Sequence, residues 1–137
     1  MEAPVPLNCS PIAGRFVLLW HDVPANSKRP SHFDLMLEHE GQLRTWAIEQ
    51  IPHRDECVEG IELPPHRLAY LDFEGEISGG RGTVRRIDQG DYRTLESSRA
   101  WFTVEMHGLE ATKNLRFQRA KSPQLWVISR VDALANL

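Results

Sequence analysis

Three side chains able to hold a metal ion fall close together early in the chain. His32 and Asp34 stand two residues apart in Ser31-His32-Phe33-Asp34-Leu35-Met36-Leu37-Glu38, whose period-2 pattern is that of a β-strand. Phe33, Leu35 and Leu37 then share one face, and His32, Asp34, Met36 and Glu38 the other. An imidazole and a carboxylate therefore point the same way. His21 ends the preceding strand. If the two strands are neighbours, three ligand-type groups meet at one end of the fold. Two imidazoles and a carboxylate make an open site suited to Mn²⁺, Fe²⁺ or Zn²⁺, with positions left for water and substrate. The plainer alternative is a solvated strand face with a chance His-Asp pair. Glu38, on the ligand face, is a candidate for orienting His32.

The elements that must position these groups are short strands. Arg15 to His21 alternates Phe16, Leu18 and Trp20 with Val17, Leu19 and His21, and a polar loop with Pro24 and Pro30 leads to the second strand. The Glu40-Gly41 turn joins that strand to a hairpin partner over Leu43 to Ile48. Ile51 to Pro65 reads as irregular and acidic. Ala69 to Phe73 and Thr83 to Ile87 read as strands, linked by Ser78-Gly79-Gly80-Arg81-Gly82. Gln89-Gly90-Asp91 reads as a turn, Glu96 to Arg99 as at most one helical turn, and Ala100 to Met106, Leu115 to Arg119 and Leu125 to Val131 as the last strands. The expected fold is all-β: a small closed or nearly closed barrel of about eight mostly antiparallel strands with at most short helices. The expected organisation is a proline-bearing arm over 1–14, one domain over 15–131 and a tail over 132–137. Trp20, Trp46, Trp101 and Trp126 are expected in the core.

Bulk properties narrow the field. The 137 residues, 41% hydrophobic and 26% charged, suit one folded domain. No segment reaches the length of a membrane span and no signal peptide is present, so a cytoplasmic protein is expected. Cys9 and Cys57 are too few for a disulfide framework. A formal charge of −3 argues against broad non-specific nucleic-acid binding but leaves room for a local basic patch such as Arg81, Arg85 and Arg86.

His66 and Tyr70 form a second cluster, placed on one side if the segment is extended. Both can donate hydrogen bonds to a phosphate oxygen; a buried tyrosine beside an exposed loop histidine is the alternative. A different use of the first motif would join His32 and Asp34 to His107 as the facial triad of a non-haem Fe²⁺ oxygenase. His39 and His53 match no ligand position.

His32-Phe33-Asp34-Leu35-Met36-Leu37-Glu38 with Gly41-Gln42-Leu43-Arg44-Thr45-Trp46-Ala47 resembles the HYDFRLE and DGVLKSWA signature of the 3′-phosphoesterase domain of bacterial DNA ligase D. His66-Arg67-Leu68-Ala69-Tyr70-Leu71-Asp72-Phe73-Glu74-Gly75-Glu76-Ile77 resembles that family's HPLEYLDFEGTIP, and Gly82-Thr83-Val84 its GAGTV. The resemblance implies a small β-barrel that removes 3′-terminal ribonucleotides or 3′-phosphates from DNA ends, with Mn²⁺ as the ion and repair proteins as partners. It implies His21, His32 and Asp34 as metal ligands, and His66 and Tyr70 as catalytic contacts to the scissile phosphate. The chain departs from the pattern at Met36, where the family places a phosphate-gripping arginine. Arg81, Arg67 or Arg44 then substitutes for the missing cation, or the chain binds metal or DNA ends without hydrolysis. A longer His21–His32 loop and a shortened glycine loop at 79–82 are further departures.

Overall fold

Phe16, Val17, Leu18 and Leu19 are all buried although they alternate between the two faces of one strand. A strand buried on both faces needs cover on both, and the architecture supplies it. The computed structural model describes residues 13–131. Its strands are β1 (Ala13–Asp22), β2 (His32–His39), β3 (Gln42–Ile48), β4 (Cys57–His66), β5 (Gly75–Glu76), β6 (Thr83–Ser97), β7 (Trp101–His107), β8 (Thr112–Arg119) and β9 (Leu125–Val131). They pair antiparallel in the order β1-β2-β3-β4-β9-β8-β7-β6, and β6 returns to β1, closing an eight-stranded barrel; β5 is a short addition on β6. The all-β closed barrel expected from the strand pattern is what forms.

Inside the barrel, Phe16, Leu18, Leu35, Leu37, Trp46, Ile48, Tyr92, Val104, Phe117, Trp126 and Ile128 make the main core. Trp46 lies at 4.7 Å from Phe117 and 5.9 Å from Trp126, ring centre to ring centre. Outside the barrel wall, Val17, Leu19, Met36 and Leu43 form a second apolar cluster with Leu71, Ile77 and Val84. The chain between β4 and β6 packs over this outer face as a flap. The Glu40-Gly41 hairpin has φ of 52° and 79° at its two central residues, the conformation that twists with the flanking strands.

Several segments differ from the sequence reading. Cys57 to Ile61 is not irregular: it pairs with β9 and continues along β3, with Val58 and Gly60 inward. Gly60 there is close-packed, since a Cβ would lie 2.8 Å from the Ile128 Cδ1. Leu68–Leu71 is a single 3-10 turn rather than a strand. Gln89-Gly90-Asp91 is the middle of β6, not a turn, and Glu96 and Ser97 end the same strand. Both edges of β6 are served by ladders, to β1 and to β7, which overrides the local glycine signal. Of the expected arm, Ala13 and Gly14 open β1; the remainder of 1–14 and the tail over 132–137 lie outside the described residues, as does Cys9. Cys57 is a free, exposed thiol. Trp46 and Trp126 are core, whereas Trp20 and Trp101 are half-buried, Trp20 against the edge of Phe33. Among the described residues no helix is long and apolar enough to cross a membrane.

Tyr92 gives a direct stability test. Its hydroxyl donates to the Glu38 carbonyl at 2.6 Å from inside the barrel, and burial pushes the phenol up to about 12. The folded value is raised, so its contribution is complete below the ordinary 10 and is lost as pH rises towards 12. Tyr92→Phe is expected to cost about 1 kcal/mol in urea unfolding near neutral pH. That difference should shrink above pH 10, because phenylalanine does not titrate. A pH-independent difference would contradict it.

Candidate metal centre and anion cleft

His21 and His32 are cross-strand partners at the end of the β1–β2 ladder, and Asp34 follows two residues along β2. All three share the outer face with Met36, so the group sits on the barrel wall rather than in its interior. The three ligand atoms lie within 4.8 Å of one another. His32 and Asp34 are 5% and 3% exposed, which is unusual for an ionisable pair without a strong partner.

Hydrogen bonds decide which nitrogens face inward. The Nε2–H of His21 donates to the Arg81 carbonyl at 2.9 Å, and the Nδ1–H of His32 donates to the Pro30 carbonyl at 2.8 Å. A carbonyl only accepts, so those nitrogens carry hydrogen. The other two are turned to Asp34: Nδ1 of His21 at 3.4 Å from Oδ2, and Nε2 of His32 at 3.0 Å from Oδ1. Despite its distance, the second contact is not aligned as a hydrogen bond, and buried Oδ1 has no partner. Two nitrogen lone pairs and a carboxylate converging on one point repel unless a cation or protons lie between them. Burial pushes the Asp34 carboxyl up, but attraction to His21 and His32 in their protonated forms outweighs it and holds it below the ordinary carboxylate range. The hydrogen bond to Asp34 raises His21 against the effect of its burial. Backbone carbonyls holding the outer imidazole nitrogens, with an orphan carboxylate oxygen inside, fit a divalent cation.

A cleft of about 530 Å³ opens beside this group, lined by His21, Asp34, His66, Tyr70 and the arginines Arg29, Arg67 and Arg81. His66 closes β4, and the 3-10 turn brings Tyr70 back beside it, with ring centres 5.5 Å apart. Their proximity thus comes from a turn, not from an extended strand. The His66 Nδ1–H donates to the Pro64 carbonyl at 3.0 Å, which fixes the ring. Arg81 is pinned by Nε to the Ser78 carbonyl at 2.8 Å. Met36, 1% exposed, forms part of the floor.

Other expected residues lie elsewhere. Arg44 points to the barrel interior, paired with Glu62 at 3.0 Å and stacked 4.7 Å over Trp46, so it does not line the cleft. Glu38 is six residues along β2 from His32, about 20 Å at strand spacing; it accepts from the Arg15 N–H, and Pro30 orients His32 instead. His107 ends β7, bonded to Glu105 and Thr112, and does not join His32 and Asp34, so the facial triad does not assemble. Arg29 was not foreseen. Its one sequence signal is a cation in the loop between two ligand-type histidines.

Gly82 ties the flap to the ligands. Its φ is +100°, and a Cβ there would run into the carbonyl oxygen of Asp22, the neighbour of His21. Gly82→Ala is expected to cost more than about 1 kcal/mol in denaturant unfolding. Divalent-ion affinity by calorimetry should also fall about tenfold, the scale for disturbing groups that orient ligands. Unchanged ion affinity would show that the Asp22–Gly82 contact does not hold His21.

A closed β-barrel with a His-His-Asp group on its outer wall, beside a cleft lined by arginines, defines a small barrel protein with a candidate metal-and-phosphate site. Residues 23–130 match the DNA ligase D 3′-phosphoesterase domain family, and the chain belongs to that family. His32, Asp34, His66 and Tyr70 fall within the match, while His21 lies two residues before it and joins the group through the β1–β2 register. The chain is 31% identical over 103 residues to the multifunctional non-homologous end joining protein LigD of Pseudomonas aeruginosa. The alignment covers 72% of this chain and 12% of that protein, so the chain spans a small part of its relative's length.

Proposed function

We propose that the chain is a divalent-metal-dependent phosphoesterase of the cytoplasm that removes a 3′-ribonucleotide or 3′-phosphate from DNA ends during end-joining repair, alongside other repair proteins. The observation that carries this reading is the single cleft shared by His21, Asp34, His66, Tyr70 and three arginines. In it, His21 Nδ1, His32 Nε2 and Asp34 hold the ion, for which we assign Mn²⁺. Bound there, the ion supplies Lewis acidity towards a phosphoryl oxygen. Arg29, Arg67 and Arg81 neutralise the phosphate and fix its orientation. Tyr70, and His66 in its cationic form through Nε2–H, donate hydrogen bonds to the phosphoryl oxygens as charge builds on them. Water adds to phosphorus as the bond to the leaving oxygen breaks.

One observation favours a second reading. Met36 occupies the position of the family arginine and is packed into the outer apolar cluster, where a thioether offers no donor to phosphate. A chain without that contact would bind ends and not hydrolyse them. The readings separate in a Mn²⁺-dependent assay on a primer-template ending in a 3′-ribonucleotide or 3′-phosphate. Trimming by the wild type that His66→Ala reduces by about a hundredfold or more supports the enzyme. Binding without trimming supports the second reading.

A further inference from the structure

A second cavity of about 210 Å³ lies behind Tyr70 and shares Arg67, Tyr70, Ile77 and Arg81 with the main cleft. The residues it does not share are of a different kind: Ala69, the aromatic Phe73, the acidic Glu76 and Ser78. Phe73 is 36% exposed, an outward-facing aromatic on a flap where Leu71 and Ile77 are buried and Leu68 is the other exposed large apolar group; of the two exposed groups, only Phe73 lines this cavity. The chain on either side of the ring is tethered. Asp72 before it pairs with Arg15 at 3.0 Å, and Glu74 after it accepts the Arg86 N–H at 2.8 Å. Tyr70 meets its edge with ring centres 5.7 Å apart. Two ion-paired neighbours thus present one aromatic face beside a cleft lined by cations.

We infer that this cavity is a nucleobase subsite, in which the base of the DNA 3′-terminal nucleotide stacks on Phe73 while its phosphate lies in the main cleft. This rests on the phosphoester reading above. Glu76 separates the two compartments chemically: a carboxylate repels phosphate but accepts hydrogen bonds from the exocyclic amine of a base. Aromatic stacking supplies affinity, while Arg67, shared by both cavities, stays with the phosphate. Pre-ordering of Phe73 by its flanking ion pairs lowers the entropy lost on binding.

The test measures binding of primer-templates that end in a non-hydrolysable 3′-phosphonate, with Mn²⁺ present. One carries a terminal cytosine and the other an abasic terminal residue. Wild-type protein is expected to bind the cytosine end about tenfold more tightly, the scale of one stacked base. Phe73→Ala should bind the two ends alike, at the abasic level. Phe73→Trp should restore the preference, and its indole fluorescence should be quenched by the cytosine end alone. Equal wild-type affinity for both ends would overturn the subsite and leave the phosphoester reading standing. A Phe73→Ala variant that weakens both ends equally would overturn it too, marking Phe73 as support for the flap. Failure of the wild type to bind either end would remove the DNA-end reading and the subsite with it.

Discussion

Asp34→Ala is expected to abolish divalent-ion binding and to lower phosphoester hydrolysis by at least about a thousandfold. Asp34 lies between both imidazoles, and its Oδ1 is buried without a hydrogen-bond partner. Losing several kcal/mol of charge stabilisation at phosphorus accounts for the size, at about 1.4 kcal/mol per tenfold. The same site predicts a pH dependence. His21 is raised from 6.5, so the stability it contributes without metal is complete below 6.5 and is lost as pH rises through its folded value. Asp34 is lowered from 3.8, so its contribution is present above 3.8 and is lost as pH falls through its folded value. Without metal the pair is therefore strongest between 3.8 and 6.5. At higher pH the proton leaves and lone pairs face the carboxylate, and His21, His32 and Asp34 would then be free to hold an ion. Mn²⁺ should raise the melting temperature of the wild type more at about pH 8 than at about pH 5.5, and that of Asp34→Ala at neither. Ion-dependent hydrolysis that survives in the variant would remove the His-His-Asp group from the proposal.

Arg29→Ala and Arg67→Ala should each weaken binding to DNA ends about tenfold or more, the scale of one charge-assisted hydrogen bond. Neither guanidinium is engaged by another group among the described residues, and both line the cleft above the Met36 floor. Each loss should also reduce the steepness of log affinity against log salt by about one. The double variant should approach a hundredfold loss if the two act on separate oxygens. Arg44→Met supplies the contrast. It removes a cation from the barrel interior, so it should leave end affinity alone while costing about 1–3 kcal/mol of stability, because Glu62 keeps only the Trp126 Nε1–H as a side-chain donor. An Arg44→Met variant that folds normally and loses end binding, with Arg29→Ala and Arg67→Ala unaffected, would reverse the assignment. The cation substituting for the family arginine would then lie on the other side of the wall.

The sequence by itself determined the barrel, the hairpin at Glu40-Gly41 and the side-by-side placement of His32 and Asp34. Alternation along a strand is local, and two residues apart always means one face. It also carried the His66–Ile77 motif by which the family was expected. Glycine at 90 misled, because ladders along a strand outweigh a local turn signal; the prolines at 64 and 65 misled because they fall at the irregularity of the β3–β4 ladder, where their missing N–H groups cost no pairing. Which face of β2 is interior was beyond a periodicity argument, since β1 and β2 are buried on both sides. Only closure of the barrel, and the flap folded over its outer wall, put Asp34 outside and Arg44 inside. The same closure brought Arg29, Arg67 and Arg81 from three separate segments to one cleft. Their charges converge through contacts distant in sequence, and no local pattern encodes such contacts.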